Sequence, residues 1–356
     1  SAPEPTMPPT PSPIVDRPIR FALVGCGRVA QNHVAALERL GSRVELVDVC
    51  DPDPAALSSM VARTGAAGHA SFDALLERTK ADVVVLATPS GLHPSQTVRA
   101  AERGLSVLTE KPMALRYEDG LAMVEACERA GVRLFVVKQL RLLPRVQRLA
   151  RAIREGRFGR LHVVAINVFW TRPQAYYDEA AWRGTRALDG GALTNQASHH
   201  VDLLTFLGGP VASVQALTAT LGRSIEVEDT AALSVRFRSG ALGSLNVTML
   251  TYPKNLETSI TVLGERGSVR LGGAAADVVE HWEFAEPFPE HDERDATPAD
   301  LGGGHARYYQ DVVAAMRGEH EPSIDGREGL RSLEILTAAY RSADQGRRVD
   351  LPLEGG

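Results

Sequence analysis

The sequence predicts two folds in succession: an α/β doubly wound parallel sheet, then an α+β unit on an open-faced, mostly antiparallel sheet. Three observations carry this. Apolar runs at Ile19–Val24, Val44–Cys50, Asp82–Ala87, Ser106–Thr109 and Arg133–Val137 alternate with helically spaced segments at Val29–Leu40, Pro54–Arg63, Ser71–Arg78, Pro94–Arg103 and Tyr117–Ala130. That alternation is the grammar of parallel strands joined by right-handed crossovers. After about Leu142 the period shortens to two, with long alternating stretches at Leu161–Trp170, Val211–Thr220, Thr230–Arg238 and Ala241–Leu250, and shorter ones at Ser259–Leu263 and Ser268–Leu271. Finally, 356 residues exceed one ordinary core.

Each element has a local reason. The early strands read as continuous apolar runs because both faces of a parallel sheet are covered. Gly41, Gly104 and Gly131 close helices, and Ser71 is placed to cap one. Arg238-Ser239-Gly240 and Gly264-Glu265-Arg266-Gly267 are hairpin turns. Arg145–Glu155 reads as a helix over the second sheet, and Gly190–Leu207 begins irregular and ends helical. Late helices are expected at Ala306–Arg317 and Gly329–Gln345, positioned to pack back on the first domain. The expected organisation is a Pro-rich tail over 1–18, a first domain over 19–142 and a second over 143–356.

Composition removes several function classes. Hydrophobic residues make up 44 % and charged residues 23 %, the balance of a soluble globular chain. The net charge is −5 with no basic block, so no nucleic-acid partner is expected, and an anionic ligand must be met by individually placed Arg and Lys side chains. The three cysteines, Cys26, Cys50 and Cys127, form no CxxC pair, which argues against a disulfide framework or a metal site and for a reducing cytoplasm. The Pro-, Ser- and Thr-rich tail has no signal-like apolar run, and no 18-residue apolar stretch suggests a membrane span.

The chemistry begins at Gly25-Cys26-Gly27-Arg28-Val29-Ala30, which follows a strand, opens a helix and starts a run of βα units. That is the setting of a dinucleotide loop. Gly25 permits the tight turn, Gly27 lets backbone N–H groups approach a pyrophosphate, and Ala30 keeps the helix close to the strand. The helix N-terminus, opening at Arg28, Val29 and Ala30, favours the phosphate charge. Asp51 ends the second strand, where an acid meets the adenosine ribose, and Pro52-Asp53-Pro54 offers no Arg or Lys for a 2′-phosphate. The cofactor expected is therefore NAD rather than NADP. Thr88, Ser90 and His93 follow the third long strand at the same carboxyl edge and are candidates for the nicotinamide side.

Together with Glu110-Lys111-Pro112 and the segment Gly191–Asp202, this loop resembles the Gfo/Idh/MocA oxidoreductases over nearly everything from Arg20 to the C-terminal helix. The resemblance implies a Rossmann domain followed by an open-faced α/β domain. A narrower likeness, to the WlbA/WbpB subgroup, rests on Phe169-Trp170-Thr171-Arg172-Pro173, Tyr176-Tyr177-Asp178, Trp182-Arg183-Gly184-Thr185, Asp189-Gly190-Gly191-Ala192, Asn195-Gln196 and Thr251-Tyr252-Pro253-Lys254-Asn255. It implies oxidation of the 3-hydroxyl of UDP-N-acetyl-D-glucosaminuronic acid, for surface polysaccharide synthesis. The chain departs from the subgroup at Arg141-Leu142-Leu143-Pro144, where two polar side chains become leucine, and at Thr258, where a glycine is expected.

Oxidising a secondary alcohol needs a hydride acceptor, a base and a charge beside the developing alkoxide. Lys111 ends the fourth long strand, near the crevice, and a lysine beside the positive nicotinamide sheds its proton more readily. The resemblance makes Lys111 catalytic and puts the catalytic histidine at His199, with His200 as the rival. Asn195, one turn earlier, is placed to bond the reacting hydroxyl, and Asp202 either to orient the His199 ring or to cap the helix or satisfy the core. Which of Lys111 and His199 takes the proton stays open. Cofactor contacts are further expected from Glu110, Lys111, Gln139, Trp182 and Arg183. Substrate contacts are expected from Lys111, Arg141, Arg172, Tyr177, Asn195, His199, Lys254 and Asn255, with Arg suited to diphosphate and carboxylate. Gly302-Gly303-Gly304-His305 is a candidate lid. The partners expected are a UDP-sugar and further copies of the chain, as a dimer or tetramer through the open sheet. Three other readings remain: a Gfo/Idh/MocA dehydrogenase acting on another sugar or nucleotide sugar, a glycosidase that keeps NAD bound and uses transient C3 oxidation, and a non-catalytic NAD-sensing protein.

Overall fold

Ile19–Val24 (β1) and Val83–Leu86 (β4) lie side by side at the centre of a six-stranded sheet, and both are almost wholly apolar. The computed structural model describes residues 11–287 and 304–353; tail residues 1–10 and the glycines Gly302 and Gly303 lie outside them. The other strands are Val44–Cys50 (β2), Ala67–His69 (β3), Ser106–Thr109 (β5) and Leu134–Val136 (β6). All pair in parallel in the order β3-β2-β1-β4-β5-β6. The order reverses between β1 and β4, so the crevice of the sheet lies at their carboxyl ends. Phe21, Ala22, Leu23 and Val83 to Leu86 are fully buried, as expected of strands covered on both faces.

The crossover helices are Ala30–Leu40 (α1), Pro54–Thr64 (α2), Phe72–Arg78 (α3), His93–Glu102 (α4) and Tyr117–Ala130 (α5). Asp53 caps α2 by accepting from the Ala55 N–H, with Pro54 inside the first turn, and Ser71 caps α3 through the Ala74 N–H. β3 was not expected. Its three residues, Ala-Gly-His, have no strand signature, and the strand exists because its backbone pairs with Asp48–Cys50.

The second sheet has eight strands: Leu161–Phe169 (β7), Val211–Ala219 (β8), Thr230–Phe237 (β9), Leu242–Thr248 (β10), Glu257–Gly264 (β11), Gly267–Gly272 (β12), Val278–Phe284 (β13) and Val349–Asp350 (β14). Their order is β13-β12-β11-β7-β10-β9-β8-β14, antiparallel except for the central pair β7 and β10. The edge strands β13 and β14 were not expected either; β13 is mostly exposed and β14 has two residues, so neither carries an alternating apolar pattern. On the inner face Val164, Ile166, Val168, Leu233, Val235, Leu245, Val247, Ile260 and Val262 are buried. They share one core with the helices Pro144–Arg154 (α6) and Ser198–Gly208 (α8). A short helix, Gln174–Asp178 (α7), and a π-turn, Ala192–Gln196, lie between β7 and α8.

By internal contacts the described chain forms two units: residues 11–114, 118–139 and 304–330, and residues 115–117, 140–287 and 331–353. The late helix Gly304–Met316 (α9) belongs to the first unit. Its Tyr309 ring meets Phe21 at 5.5 Å, and Tyr308 donates to the Val136 carbonyl at 2.7 Å. The last helix, Gly326–Gln345 (α10), adds Ile335, Leu336, Ala338 and Ala339 to the core of the second unit. Among the described residues no helix is long and apolar enough to cross a membrane. Cys26, Cys50 and Cys127 are buried and unbridged; burial pushes their thiols up to about 11, about 12 and about 12, so none is a thiolate at neutral pH.

Candidate active site

In the first unit, the loop after β1 lies at the β1–β4 crevice. Gly25 adopts φ +94°, and a Cβ there would sit 2.5 Å from the Ala87 carbonyl oxygen, so both backbone conformation and space demand glycine. At Gly27 a Cβ would meet no protein atom within 4 Å, so the packing of the chain itself does not demand glycine there. The N-terminus of α1 follows at once, with no side-chain cap and no acid in its first turn. Uncapped N–H groups beside a glycine that packing does not require fit a dinucleotide diphosphate. Arg28 is exposed, Val29 half-buried and Ala30 fully buried against the sheet.

Asp51 stands where the sequence placed it and does more than expected. Its Oδ2 accepts from the Cys26 N–H at 2.7 Å and its Oδ1 from the Asp53 N–H at 2.8 Å. One carboxylate thus ties the glycine loop to the turn after β2, and each oxygen keeps a lone pair for a ribose hydroxyl. Gln139, following β6, has a buried Oε1 with no hydrogen-bond partner among the described residues, an acceptor that suits a bound ligand.

Three other expected cofactor side chains are turned inward. Thr88 Oγ1 donates to Gln96 at 2.6 Å, and Ser90 is buried. The fully buried His93 has Nδ1 3.0 Å from the Pro112 carbonyl and Nε2 2.9 Å from the Thr88 carbonyl; burial lowers its pKa. Glu110 Oε2 accepts from the Lys111 N–H at 3.0 Å. Its Oε1 lies 3.1 Å from His33 Nε2 and 3.3 Å from His305 Nε2. Burial by itself would raise the Glu110 carboxyl, but the His305 and His33 rings outweigh it and hold the group well below the usual carboxylate range. His33, Glu110 and His305 also form the one set among the described residues with metal-ligand spacing, their ligand atoms all within 4.8 Å. Of the two ring nitrogens, His305 Nε2 has hydrogen-bond geometry to Glu110 Oε1, while His33 Nε2 approaches the same oxygen at ion-pair distance without it. Lys111 itself is half-buried on the turn after β5.

In the second unit, α8 carries His199 and His200, both buried. The His200 ring packs edge-to-face with Trp170 at 5.6 Å. Asn195 sits on the π-turn, where its Nδ2 donates to Asp189, and Asp189 also accepts from the Gly184 N–H at 2.6 Å. Glu228 accepts from the Leu193 N–H at 2.9 Å and from Tyr340 at 2.8 Å, and Tyr340 in turn accepts from Thr194 at 2.8 Å. Sequence reasoning assigned no role to Asp189, Glu228, Tyr340 or His33; Asp189 acts within its own loop, while contacts between distant residues reveal the other three.

Arg172 and Arg183 cluster with aromatic rings. Arg172 lies 5.2 Å over Trp170 and 5.5 Å over Tyr176 and donates to Gln196 at 3.1 Å. Arg183 lies 4.3 Å over Tyr176 and 5.6 Å over Trp182 and pairs with Glu179. Tyr177 is buried, which pushes its phenol up to about 12, so it can act as a neutral donor. Lys254 is exposed, while Asn255 accepts from the Thr171 N–H at 2.9 Å and secures the strand end.

Arg141, a candidate for substrate or for a structural ion pair, and Asp202, a candidate to orient His199 or to satisfy the core, pair with each other: Nε and Nη2 of Arg141 are each 2.6 Å from a carboxylate oxygen, and both residues are buried. The guanidinium also lies 4.8 Å over Phe206.

The fold and the nucleotide loop define a dinucleotide-dependent oxidoreductase. Comparison with known proteins agrees: residues 19–138 match the family domain described as the NAD-binding Rossmann fold, and residues 150–351 its C-terminal alpha/beta domain. The chain belongs to the Gfo/Idh/MocA oxidoreductase family and binds NAD. A solved structure of the WlbA dehydrogenase from Chromobacterium violaceum, in complex with NADH and UDP-GlcNAcA, is 62 % identical with a TM-score of 0.92, over 96 % of this chain and 98 % of that one. The WlbA dehydrogenase from Bordetella pertussis, with the same two ligands, is 56 % identical with a TM-score of 0.94, over 96 % and 100 %. Among curated proteins, a D-apiose dehydrogenase from Paraburkholderia graminis is 28 % identical over 93 % of this chain and 89 % of its own length.

Proposed function

We propose that this enzyme oxidises the C3 hydroxyl of a UDP-linked N-acetyl-hexuronate, UDP-N-acetylglucosaminuronate or a close analogue, to the 3-keto sugar. The observation that carries the reading is the 62 % identity, over nearly the whole chain, to a WlbA dehydrogenase holding NADH and UDP-GlcNAcA. NAD, when bound, accepts the hydride from C3. Asp51, Gly27 and the open N-terminus of α1 hold its adenosine and diphosphate. His199 takes the hydroxyl proton, Lys111 steadies the developing alkoxide, and Asn195 bonds the reacting oxygen. Asn195 has no proton-accepting carboxylate, so the proton goes to a neighbouring base rather than to it. Arg172 and Arg183, each already stacked on aromatic rings, supply cations for the diphosphate or uronate carboxylate. A C3 oxidation of this kind serves nucleotide-sugar and surface polysaccharide synthesis in the cytoplasm, and the enzyme works there as a homodimer or homotetramer.

Purified enzyme given NAD⁺ and UDP-N-acetylglucosaminuronate is expected to form NADH and a 3-keto sugar in equal amounts. Lys111→Ala and His199→Asn are each expected to lose at least about a hundredfold in kcat while still binding NAD. Release of an aglycone without net NADH, or near-normal turnover by either variant, would overturn the reading or that residue's role.

A further inference from the structure

Hydride transfer gives no direct part to three histidines of the first unit, His33, His93 and His305. All three face the Glu110–Lys111–Pro112 turn. On the N-terminal side of Lys111, Glu110 Oε2 accepts from the Lys111 N–H at 3.0 Å, and the other oxygen of the same carboxylate faces His33 at 3.1 Å and His305 at 3.3 Å. On the C-terminal side, the Pro112 carbonyl faces His93 Nδ1 at 3.0 Å, and the opposite ring nitrogen is 2.9 Å from the Thr88 carbonyl. The first cluster is braced from behind, because His33 Nδ1 lies 2.9 Å from the Tyr309 hydroxyl on α9.

We propose that His33, His93 and His305 are positioning residues that clamp the main chain on both sides of Lys111 and so fix where its ammonium is presented. This rests on the reading of Lys111 as the group that meets the reacting hydroxyl. A lysine side chain has four rotatable bonds and cannot place itself; the frame at its Cα sets the volume that the ammonium explores. Displacing a catalytic group by an ångström costs about a hundredfold in rate. His33 and His93 are fully buried, so water cannot replace them, and a buried imidazole persists only where its polar atoms are met. Both His93 nitrogens are met by carbonyls of the turn and of Thr88, and His33 is held by the Tyr309 hydroxyl at Nδ1 and by the Glu110 carboxylate, at ion-pair distance from Nε2. The arrangement also explains why Glu110 precedes Lys111: its carboxylate joins the lysine main chain to α1 through His33 and to α9 through His305.

His305 is the member to test, since its side chain keeps 14 % exposure and lies at the start of α9. His305→Ala, His305→Gln and Lys111→Ala are compared with wild type for kcat, KM for the UDP-sugar, NAD dissociation constant and thermal midpoint. In His305→Ala, kcat falls at least about tenfold while KM and NAD affinity stay within about twofold. His305→Gln, whose amide still donates to Glu110, recovers most of the loss. Added zinc changes nothing. If Lys111→Ala is inactive yet His305→Ala keeps wild-type kcat, the clamp is refuted. A parallel loss of kcat, NAD affinity and thermal midpoint that Gln does not rescue, or zinc-dependent activity, refutes it as well. Normal turnover by Lys111→Ala is a separate outcome that removes the reading on which the clamp rests.

Discussion

Arg141 and Asp202 show how a single charged residue changes meaning once its neighbours are known. Both are buried and joined bidentately, 61 residues apart in the chain. Removing one partner of such a pair strands a desolvated charge and costs about 3–5 kcal/mol, whereas replacing both with apolar residues is often close to neutral. Arg141→Leu is therefore expected to lose about that much in denaturant unfolding, and Arg141→Leu with Asp202→Leu to regain most of it. A single variant as stable as wild type would show that the pair holds nothing. Sequence alone weighs Arg141 equally as a substrate ligand and as half of a structural ion pair, because an arginine near a crevice looks the same whether its carboxylate belongs to the sugar or to a distant helix. The positions of Asp51 and Gly25 were legible for the opposite reason: they follow from the strand directly before each. Glu110 and His93 fall between, since the motif marks their importance while only the fold shows that they face inward.

The π-turn Ala192–Gln196 carries Asn195 into α8, and side chains from elsewhere in the second unit hydrogen-bond to it. Glu228, on the approach to β9, and Tyr340, on α10, bind its Leu193 N–H and Thr194 hydroxyl. Burial raises the Glu228 carboxyl above its usual range, only partly offset by the Leu193 N–H and the Tyr340 hydroxyl. The folded state then holds the proton more firmly than the unfolded state. This contribution is fully present below the ordinary carboxyl pKa of 4.5 and is lost as pH rises through the raised folded value. Glu228→Gln has no proton to lose, so its thermal midpoint relative to wild type should improve steadily as pH climbs from 4.5 toward neutrality. A pH-independent difference between the two would refute the buried, proton-holding Glu228. The irregular start of Gly190–Leu207 could be read from its glycines, but the π geometry could not, because its anchors lie far along the chain. The same limit hid β3, β13 and β14, strands formed by pairing rather than by their own residues.

At the scale of the whole molecule, the proposed homo-oligomer sets the outer face of the second sheet against a second copy. Cross-strand rows run Leu263, Val163, Leu242 and Ser259, Asn167, Asn246, Ala232, Leu217, with Phe169 opposite Thr248 in a further row. Leu217 is 73 % and Leu242 50 % exposed in the single chain, among small and neutral side chains in the central rows, with the charged Arg236, Glu257 and Arg270 on the same face. A broad sheet face with exposed leucines among small residues suits a second copy of itself related by two-fold symmetry. Leu217→Arg with Ala232→Arg would place two cations against their symmetry mates in such a contact. Both positions point to solvent in the isolated chain, so the fold and NAD binding should persist, with stability changed by about 0.5 kcal/mol or less. Light scattering should then report a dimer or tetramer for wild type and a single chain for the double variant. A wild-type mass of one chain, or a double variant that keeps the wild-type mass, would mean that the sheet face is not the contact.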